Sequence, residues 1–324
     1  MFRQVCVAIV CFACVAAARA DIFGTGENQF AIDFVPISGR TNPSTGIPAG
    51  DGFAFTGVAN DYRMGTYEIT NDQWNKFKAA YGTVAGNPSS AYANSPSYTS
   101  ANGPTNNVSW YEAAQFVNWL NTNTGHHAAY NFTGTQGTGS YTFTTWSTAE
   151  AAGGRNLYRH KDAFYYLPTE DEWVKAAYWN GTALQNSATK ASESLTQGDG
   201  NGAGWNYHDA EGYATYPAGP WDIGSGSQEL NGTYDMMGNL FEWLESPLPS
   251  GNYVANSWRD VRGGDWYCGS NALAASYRSY GNAPNEYEYI GFRVASVPEP
   301  SCIVLLLAAA TGVLGYRWYK QRAA

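Results

Sequence analysis

The sequence predicts a single mixed α+β domain with a large irregular fraction, and three observations carry that reading. Aromatic residues make up 15% of the 324 residues, with 12 Trp and 24 Tyr, and each such ring buries much surface while keeping a polar handle. Glycine is frequent, at 36 residues, while charged residues are only 14%. That mixture points to a loop-rich, aromatic-packed globule rather than a helical bundle or a disordered chain. Finally, three helix starts stand out among short, weakly alternating segments.

Each of those starts is a capping box, in which a hydroxyl accepts a first-turn N–H and a Glu or Gln three residues on reaches back. Thr70-Asn71-Asp72-Gln73 opens the first helix, with Trp74, Phe77 and Tyr81 at helical spacing. Ser109-Trp110-Tyr111-Glu112 opens the second, followed by Ala113, Phe116, Val117 and Leu120 and closed near Gly125. Thr169-Glu170-Asp171-Glu172 opens the third, with Trp173, Ala176 and Ala177 behind it and Gly181 just after. Tyr141-Thr142-Phe143-Thr144 and Phe164-Tyr165-Tyr166-Leu167 read as strands. Residues 86–106 and 181–204 are Gly/Ser/Asn/Thr-rich loops, and no repeat or long linker divides the chain.

The two ends read as targeting segments. Arg3, the apolar run Val5 to Ala17 and Ala18-Arg19-Ala20 form a secretory signal with an A-x-A cleavage site, so residues 1–20 are expected to be removed. At the other end, Val297-Pro298-Glu299-Pro300-Ser301 precedes an apolar stretch from Cys302 to Tyr316, and Arg317, Lys320 and Arg322 follow. As a helix that stretch covers about 22 Å, and Trp318, Tyr319 and snorkelling basic residues extend it toward the roughly 30 Å hydrocarbon core. The tail, residues 297–324, resembles the bacterial PEP-CTERM sorting signal. That resemblance implies transient anchoring in the inner membrane, recognition by an exosortase, and delivery to the cell envelope or the exterior. Residues 21–296 remain as the folded domain.

Five of the 18 Lys and Arg (Arg3, Arg19, Arg317, Lys320 and Arg322) fall in the end segments, whereas all 27 Asp and Glu lie between residues 21 and 300. An acidic domain lacks the basic footprint that nucleic acid demands, while excess carboxylate is compatible with divalent cations. Of the five cysteines, Cys6, Cys11 and Cys14 leave with the signal and Cys302 lies in the anchor. Cys268 alone stays in the domain, which can form no internal disulfide.

Several strings then recur in one order. They are Tyr67-Glu68-Ile69-Thr70-Asn71, Asn107-Val108-Ser109-Trp110 with Glu112-Ala113-Ala114, and Leu167-Pro168-Thr169-Glu170 with Glu172-Trp173. Tyr234-Asp235-Met236-Met237-Gly238-Asn239-Leu240-Phe241-Glu242-Trp243, Val261-Arg262-Gly263-Gly264 and Gly291-Phe292-Arg293 complete the set. In this order, over roughly residues 30 to 296, the chain resembles the formylglycine-generating, sulfatase-modifying family. The resemblance implies that family's irregular, aromatic-rich α+β fold, a variant related to C-type lectins.

It also implies bound Ca²⁺, a hard cation that takes carboxylate and carbonyl oxygens. By match to the family motif the ligands are the side chains of Asp235 and Glu242 and the carbonyls of Gly238 and Leu240. A weaker second calcium set is Asn206, Tyr207, Glu211 and Tyr213, at shortened spacing, with Asp209 a substitute ligand.

The family's oxidases convert a cysteine in a Cys-x-Pro-x-Arg motif to formylglycine using O₂ and Cu(I) held by two thiolates, as a soft ion prefers. Cys268 stands at the first thiol position, in Arg262-Gly263-Gly264-Asp265-Trp266-Tyr267-Cys268, but Leu273 occupies the second. Asp265 replaces the serine after Gly-Gly, and Phe241 replaces the first Trp of the W-E-W string. Copper is therefore not expected, and Cys268 reads better as a buried small residue than as a catalytic one.

The retained scaffold beside a missing thiol points to an exported binding module, calcium-stabilised and non-catalytic or divergent. Its ligand is expected to be a glycan or peptide on a groove lined by Trp266, Tyr267, Phe241 and Tyr287. A copper-dependent formylglycine-generating oxidase and a structural envelope or matrix protein are the alternatives.

Overall fold

The computed structural model describes residues 19–42, 55–84 and 98–298. All three capping boxes close. The Gln73 N–H donates to Thr70 Oγ1 at 3.2 Å while the Thr70 N–H donates to Gln73 Oε1 at 2.9 Å, starting α1 (Asn71–Tyr81). Ser109 and Glu112 do the same for α2 (Trp110–Asn123), and Thr169 and Glu172 for α3 (Glu170–Tyr178). Gly125 takes a left-handed φ of 81° just past α2, as a helix end favours.

Helix α2 is buried from Trp110 through Asn121, so it is a core helix rather than an amphipathic surface one. Trp74 and Phe77 of α1 meet its Phe116 at 6.0 and 5.1 Å between ring centres. Buried Asn121 joins its far end to the neighbouring chain, donating to the Tyr165 carbonyl at 2.8 Å and accepting from the N–H groups of Phe164 and Tyr165.

Two sheets flank this helix core. The five-stranded sheet runs Arg19–Phe23, Phe30–Ile37, Tyr62–Gly65, Ala295–Ser296, Tyr165–Tyr166, antiparallel throughout. In its second strand Phe30, Ile32 and Phe34 face the core while Ala31 and Asp33 face out, the period-two alternation of a half-buried strand. Arg19 and Ala20 pair with Phe34 and Asp33, so the first strand straddles the expected cleavage point. Cleavage there keeps Asp21, whose carboxylate holds Arg63 at 2.6 Å and accepts the Tyr165 hydroxyl at 2.8 Å. Residues 1–18 and the tail from 299 lie outside the described residues. Among those described, no helix is long and apolar enough to cross a membrane.

The four-stranded sheet runs Ser279–Gly281, Trp258–Arg262, Phe241–Leu248, Ile290–Gly291, the last pair parallel. The Trp110 indole N–H donates to the Leu244 carbonyl and that of Trp243 to the Val108 carbonyl, each at 2.9 Å, tying this sheet to the start of α2. The expected strand at 141–144 forms as Thr142–Thr144 against Asn131–Thr133, and that at 164–167 as Tyr165–Tyr166. Residues 181 to 240 hold only the two-residue strands His208–Asp209 and Gly212–Tyr213. The sequence-based reading of α+β with little regular structure holds.

Candidate functional site

The turn before the strand Phe241–Leu248 is built from unusual backbone. Asp235 and Asn239 take left-handed φ values of 61° and 64°, and Gly238 takes 82°. A Cβ on Gly238 would lie 2.1 Å from the Asn206 carbonyl oxygen. That close approach lets the Asn239 N–H donate to the same oxygen at 2.9 Å, while the Gly238 N–H donates to Gly263 at 2.9 Å. The Asn239 side chain accepts from the Trp221 N–H at 2.7 Å and from Asn206 Nδ2 at 3.1 Å. Glu68, 1% exposed, lies against this turn: it accepts from Asn239 Nδ2 at 2.7 Å and from the Leu240 N–H at 3.2 Å.

Glu242 follows at full burial. Its Oε2 accepts from Arg293 Nε at 2.7 Å and Trp173 Nε1 at 2.8 Å, and its Oε1 accepts from Arg293 Nη2 at 2.6 Å. Arg293 also donates to the carbonyls of Gly65, Thr66 and Tyr234. Asp235 Oδ2 accepts from the Gly224 N–H at 2.8 Å.

Charge is unbalanced here. Glu68, Glu229, Asp235 and Glu242 are all buried and feel one another's fields, with Arg293 the cation acting on each. Burial, reinforced by the Asp235 and Glu242 charges, holds the Glu68 carboxyl well above the usual range. Asp235 is pushed up to about 6 and Glu229 to about 8, burial again the main cause. An excess of buried carboxylate is costly unless protons or a cation offset it.

Oxygen donors of the kind a hard divalent ion takes, the Asp235 and Glu242 carboxylates, stand at this turn. Glu242 Oε1 carries one hydrogen bond and keeps a lone pair, and a cavity of about 90 Å³ is lined by Asp33, Tyr67 and Glu68 but by none of Asp235, Gly238, Leu240 or Glu242. Among the described residues no three His, Cys, Asp or Glu side chains converge as a ready-made cage. Backbone carbonyls, as expected for Gly238 and Leu240, would have to complete the coordination.

The second expected calcium set lies on and beside one short hairpin, where Gln197 Nε2 donates to the carbonyls of Tyr207 and Gly212 at 2.6 and 2.8 Å. Asn206 is buried and donates to the Gly219 carbonyl and Asn239 Oδ1. Tyr207 is buried too, whereas Glu211 is exposed at the tip of the His208–Tyr213 hairpin, its N–H held by Asp209 Oδ1 at 2.8 Å. Tyr213 packs on His208, ring centres 4.8 Å apart.

Cys268 sits half-buried in the loop after Gly263-Gly264. Asp265 Oδ1 accepts the N–H groups of Tyr267 and Cys268 at 2.9 and 2.7 Å. This buried carboxylate shapes the loop and faces the thiol. Burial and then the Asp265 charge push the Cys268 thiol up to about 12, the opposite of what metal binding or nucleophilic attack requires. Leu273 is fully buried, and a Cβ on Gly264 would touch its Cδ1 at 2.9 Å. The residues present do not fit a two-thiolate copper site.

A test follows from the thiol's surroundings. Alkylation of Cys268 by iodoacetamide at pH 8 is expected to run roughly a thousandfold slower than that of a free cysteine, the thiolate being the reactive form. Asp265→Asn should speed it. Rates matching a free thiol in the folded wild-type protein would contradict the assignment.

Of the expected aromatic groove, Trp266 and Tyr267 do come together, ring centres 5.8 Å apart, with Tyr267 62% exposed. Phe241 does not join them; it is core, stacked on Tyr277. Tyr287 packs against Trp243 and Tyr289 instead. The surface is completed by Tyr213, 5.8 Å from both Trp266 and Tyr267, by exposed Tyr216 and by Tyr98.

Comparison with known proteins gives the family. Residues 54–297 match the sulfatase-modifying factor enzyme 1-like domain. The chain belongs to the sulfatase-modifying factor family. The chain is 25% identical over 243 residues to the chaperone protein LppX of Paenibacillus barcinonensis, covering 67% of this chain and 74% of that protein. It is 27% identical over 143 residues to hercynine oxygenase of Mycobacterium tuberculosis, a match spanning 40% of this chain and about a third of that enzyme (32%). Among solved structures, Treponema denticola variable protein 1 superposes with a TM-score of 0.61 at 20% identity, covering 88% of this chain and all of that one (100%). PvdO from Pseudomonas aeruginosa superposes with a TM-score of 0.53 at 16% identity, covering 86% and 98%. These likenesses show the fold.

Two residues of the sulfatase-modifying factor scaffold went unassigned in the sequence reading. Glu68 and Arg293 both sit in the family strings, and each turns out to hold the 235–242 turn from a distant part of the chain. The signal for Glu68 was an acid between apolar Tyr67 and Ile69 just ahead of a capping box.

Proposed function

We propose that this chain is an exported binding module of the sulfatase-modifying factor family, stabilised by Ca²⁺ and without formylglycine-generating oxidase chemistry. The observation that carries the reading is the Cys268 loop: one protonated thiol beside the buried Asp265 carboxylate, and a core leucine where a second thiolate is needed. Asp235, Glu242 and the carbonyls of Gly238 and Leu240 would hold the ion, which supplies positive charge against the buried carboxylates. Trp266, Tyr267 and Tyr213 offer stacking faces for a glycan or peptide. The sorting tail, handled by an exosortase, would place the module at the envelope or outside the cell.

Arrays of glycans and peptides probed with the purified protein in calcium test the ligand face. Binding that Tyr267→Ala or Trp266→Ala removes supports it; silence across both arrays, or binding indifferent to both substitutions, overturns it. Calcium is tested separately. At about a hundred times its Kd, a ligand of the folded state adds ~2.7 kcal/mol, about 5–10 °C in Tm for a domain this size. We expect a rise of that order, removed by EDTA and absent in Asp235→Asn. Glu211→Gln should leave it intact, because Glu211 stands at an exposed hairpin tip.

A further inference from the structure

One pocket lies outside both the calcium turn and the Tyr267 surface and shares no residue with either. It has a volume of about 340 Å³, at the small end of the roughly 300–1,000 Å³ typical of ligand sites.

Strand alternation builds it. Asp260 pairs with Tyr280, and Trp258 pairs with Leu248, so Trp258, Asp260, Leu248 and Tyr280 share one face of the sheet. The opposite face carries Arg259, Val261 and Gly281 and is packed solid: the Arg259 guanidinium lies 4.2 Å from the Trp110 ring, and a Cβ on Gly281 would strike the Trp243 ring at 2.3 Å. The pocket face is left open, lined by Leu248, Asp260, Tyr277, Arg278 and Tyr280 among others.

Its two ends differ in chemistry. At the outer end Tyr280 lines the pocket and is 51% exposed, and Trp258, which is not part of the lining, is 46% exposed with its ring centre 4.6 Å from that of Tyr280. Two large rings left half in water form a platform for an apolar face. At the inner end Asp260 is 1% exposed. Its Oδ2 accepts from Arg278 Nη2 at 3.0 Å, while its Oδ1 is buried with no donor on it, the Glu170 carboxyl being the polar group within reach of Asp260. A buried polar atom in that condition calls for an explanation, of which a missing ligand is one.

The charges select the ligand class. Glu170 pairs with both Arg262 and Arg278, and Arg278 pairs with Asp260, so two carboxylates face two guanidiniums and the inner end is balanced. A cation would meet the two arginines, and an anion the two acids. A neutral molecule carrying hydroxyls can both donate to and accept from this cluster while laying an apolar ring face on the aromatic pair.

We propose that the pocket lined by Tyr280, Arg278 and Asp260, with the Trp258 ring beside Tyr280, is a carbohydrate subsite, taking one neutral sugar ring stacked on the aromatic pair with its hydroxyls on Asp260 and Arg278. The test titrates the intact protein with cellotriose, chitotriose and maltotriose, following tryptophan fluorescence and calorimetry, with a neutral tripeptide and inorganic phosphate as controls. Saturable binding of at least one trisaccharide is expected, weakened at least tenfold in Trp258→Ala and in Tyr280→Ala. Both residues are exposed, so both variants should keep the wild-type melting profile. Trp258→Phe should retain most of the binding, and Asp260→Asn should weaken it. Tyr267→Ala should leave it unchanged, which separates this subsite from the ligand face proposed above. Failure of all three sugars to saturate, tripeptide or phosphate binding there instead, or sugar binding insensitive to Trp258 and Tyr280 would overturn the assignment.

Discussion

Replacing Arg293 by methionine is expected to destabilise the domain by about 3–5 kcal/mol, the usual cost of breaking one side of a buried ion pair. Methionine fills a similar length but donates nothing. Glu242, fully buried, would keep only the Trp173 indole N–H, and the carbonyls of Gly65, Thr66 and Tyr234 would each lose a donor. Glu68, Glu229 and Asp235 would lose the cation that now lowers each of them. For a domain of this size the Tm should fall by about 6–20 °C. Urea denaturation measures the change. The double variant Arg293→Met/Glu242→Gln should recover part of the loss, because the pair is coupled; a single-variant loss under about 1 kcal/mol would remove this ion pair from the account.

The second large effect is expected at Gly238. An alanine Cβ would lie 2.1 Å from the Asn206 backbone oxygen, and a backbone atom cannot swing aside as a flexible side chain does. The left-handed φ of 82° adds about 1–2 kcal/mol for any residue with a Cβ. Gly238→Ala should therefore cost at least about 3 kcal/mol in chemical denaturation, among the large single-site values, and the calcium increment in Tm should vanish with the turn. Gly251 is the control: it has a similar φ of 78° but open space around its Cβ position, so Gly251→Ala should cost only about 1 kcal/mol. Equal losses at the two glycines would mean that φ alone, not the approach to Asn206, sets the cost.

What could be read from the sequence was what is local. A capping box is complete within four residues, so α1, α2 and α3 were visible from Thr70, Ser109 and Thr169. The sheets were not. Ala295–Ser296 lies between Tyr62–Gly65 and Tyr165–Tyr166, and Ile290–Gly291 runs parallel to Phe241; two-residue strands carry no period. The site divides the same way. The string 235–243 announced the turn, but Glu68 reaches Asn239 across 171 residues, a contact that spacing cannot encode. Phe241 was expected on the aromatic groove with Trp266, Tyr267 and Tyr287. It is instead 5% exposed, packed against Tyr277 and paired through its backbone with Ile290. The pocket at Asp260 gave no motif at all, since it comes from the pairing register of two strands. Asp265, noted only as a departure from the pattern, became informative once the fold set its carboxylate against the Cys268 thiol.

The central claim is that a sulfatase-modifying factor scaffold with one high-pKa thiol cannot carry the two-thiolate chemistry. Mass spectrometry of a Cys-x-Pro-x-Arg peptide, incubated aerobically with the purified protein, a Cu(I) source and a thiol reductant, tests it most directly. The peptide mass should stay as in the protein-free control. Conversion of the cysteine to formylglycine, dependent on Cys268, would contradict the account.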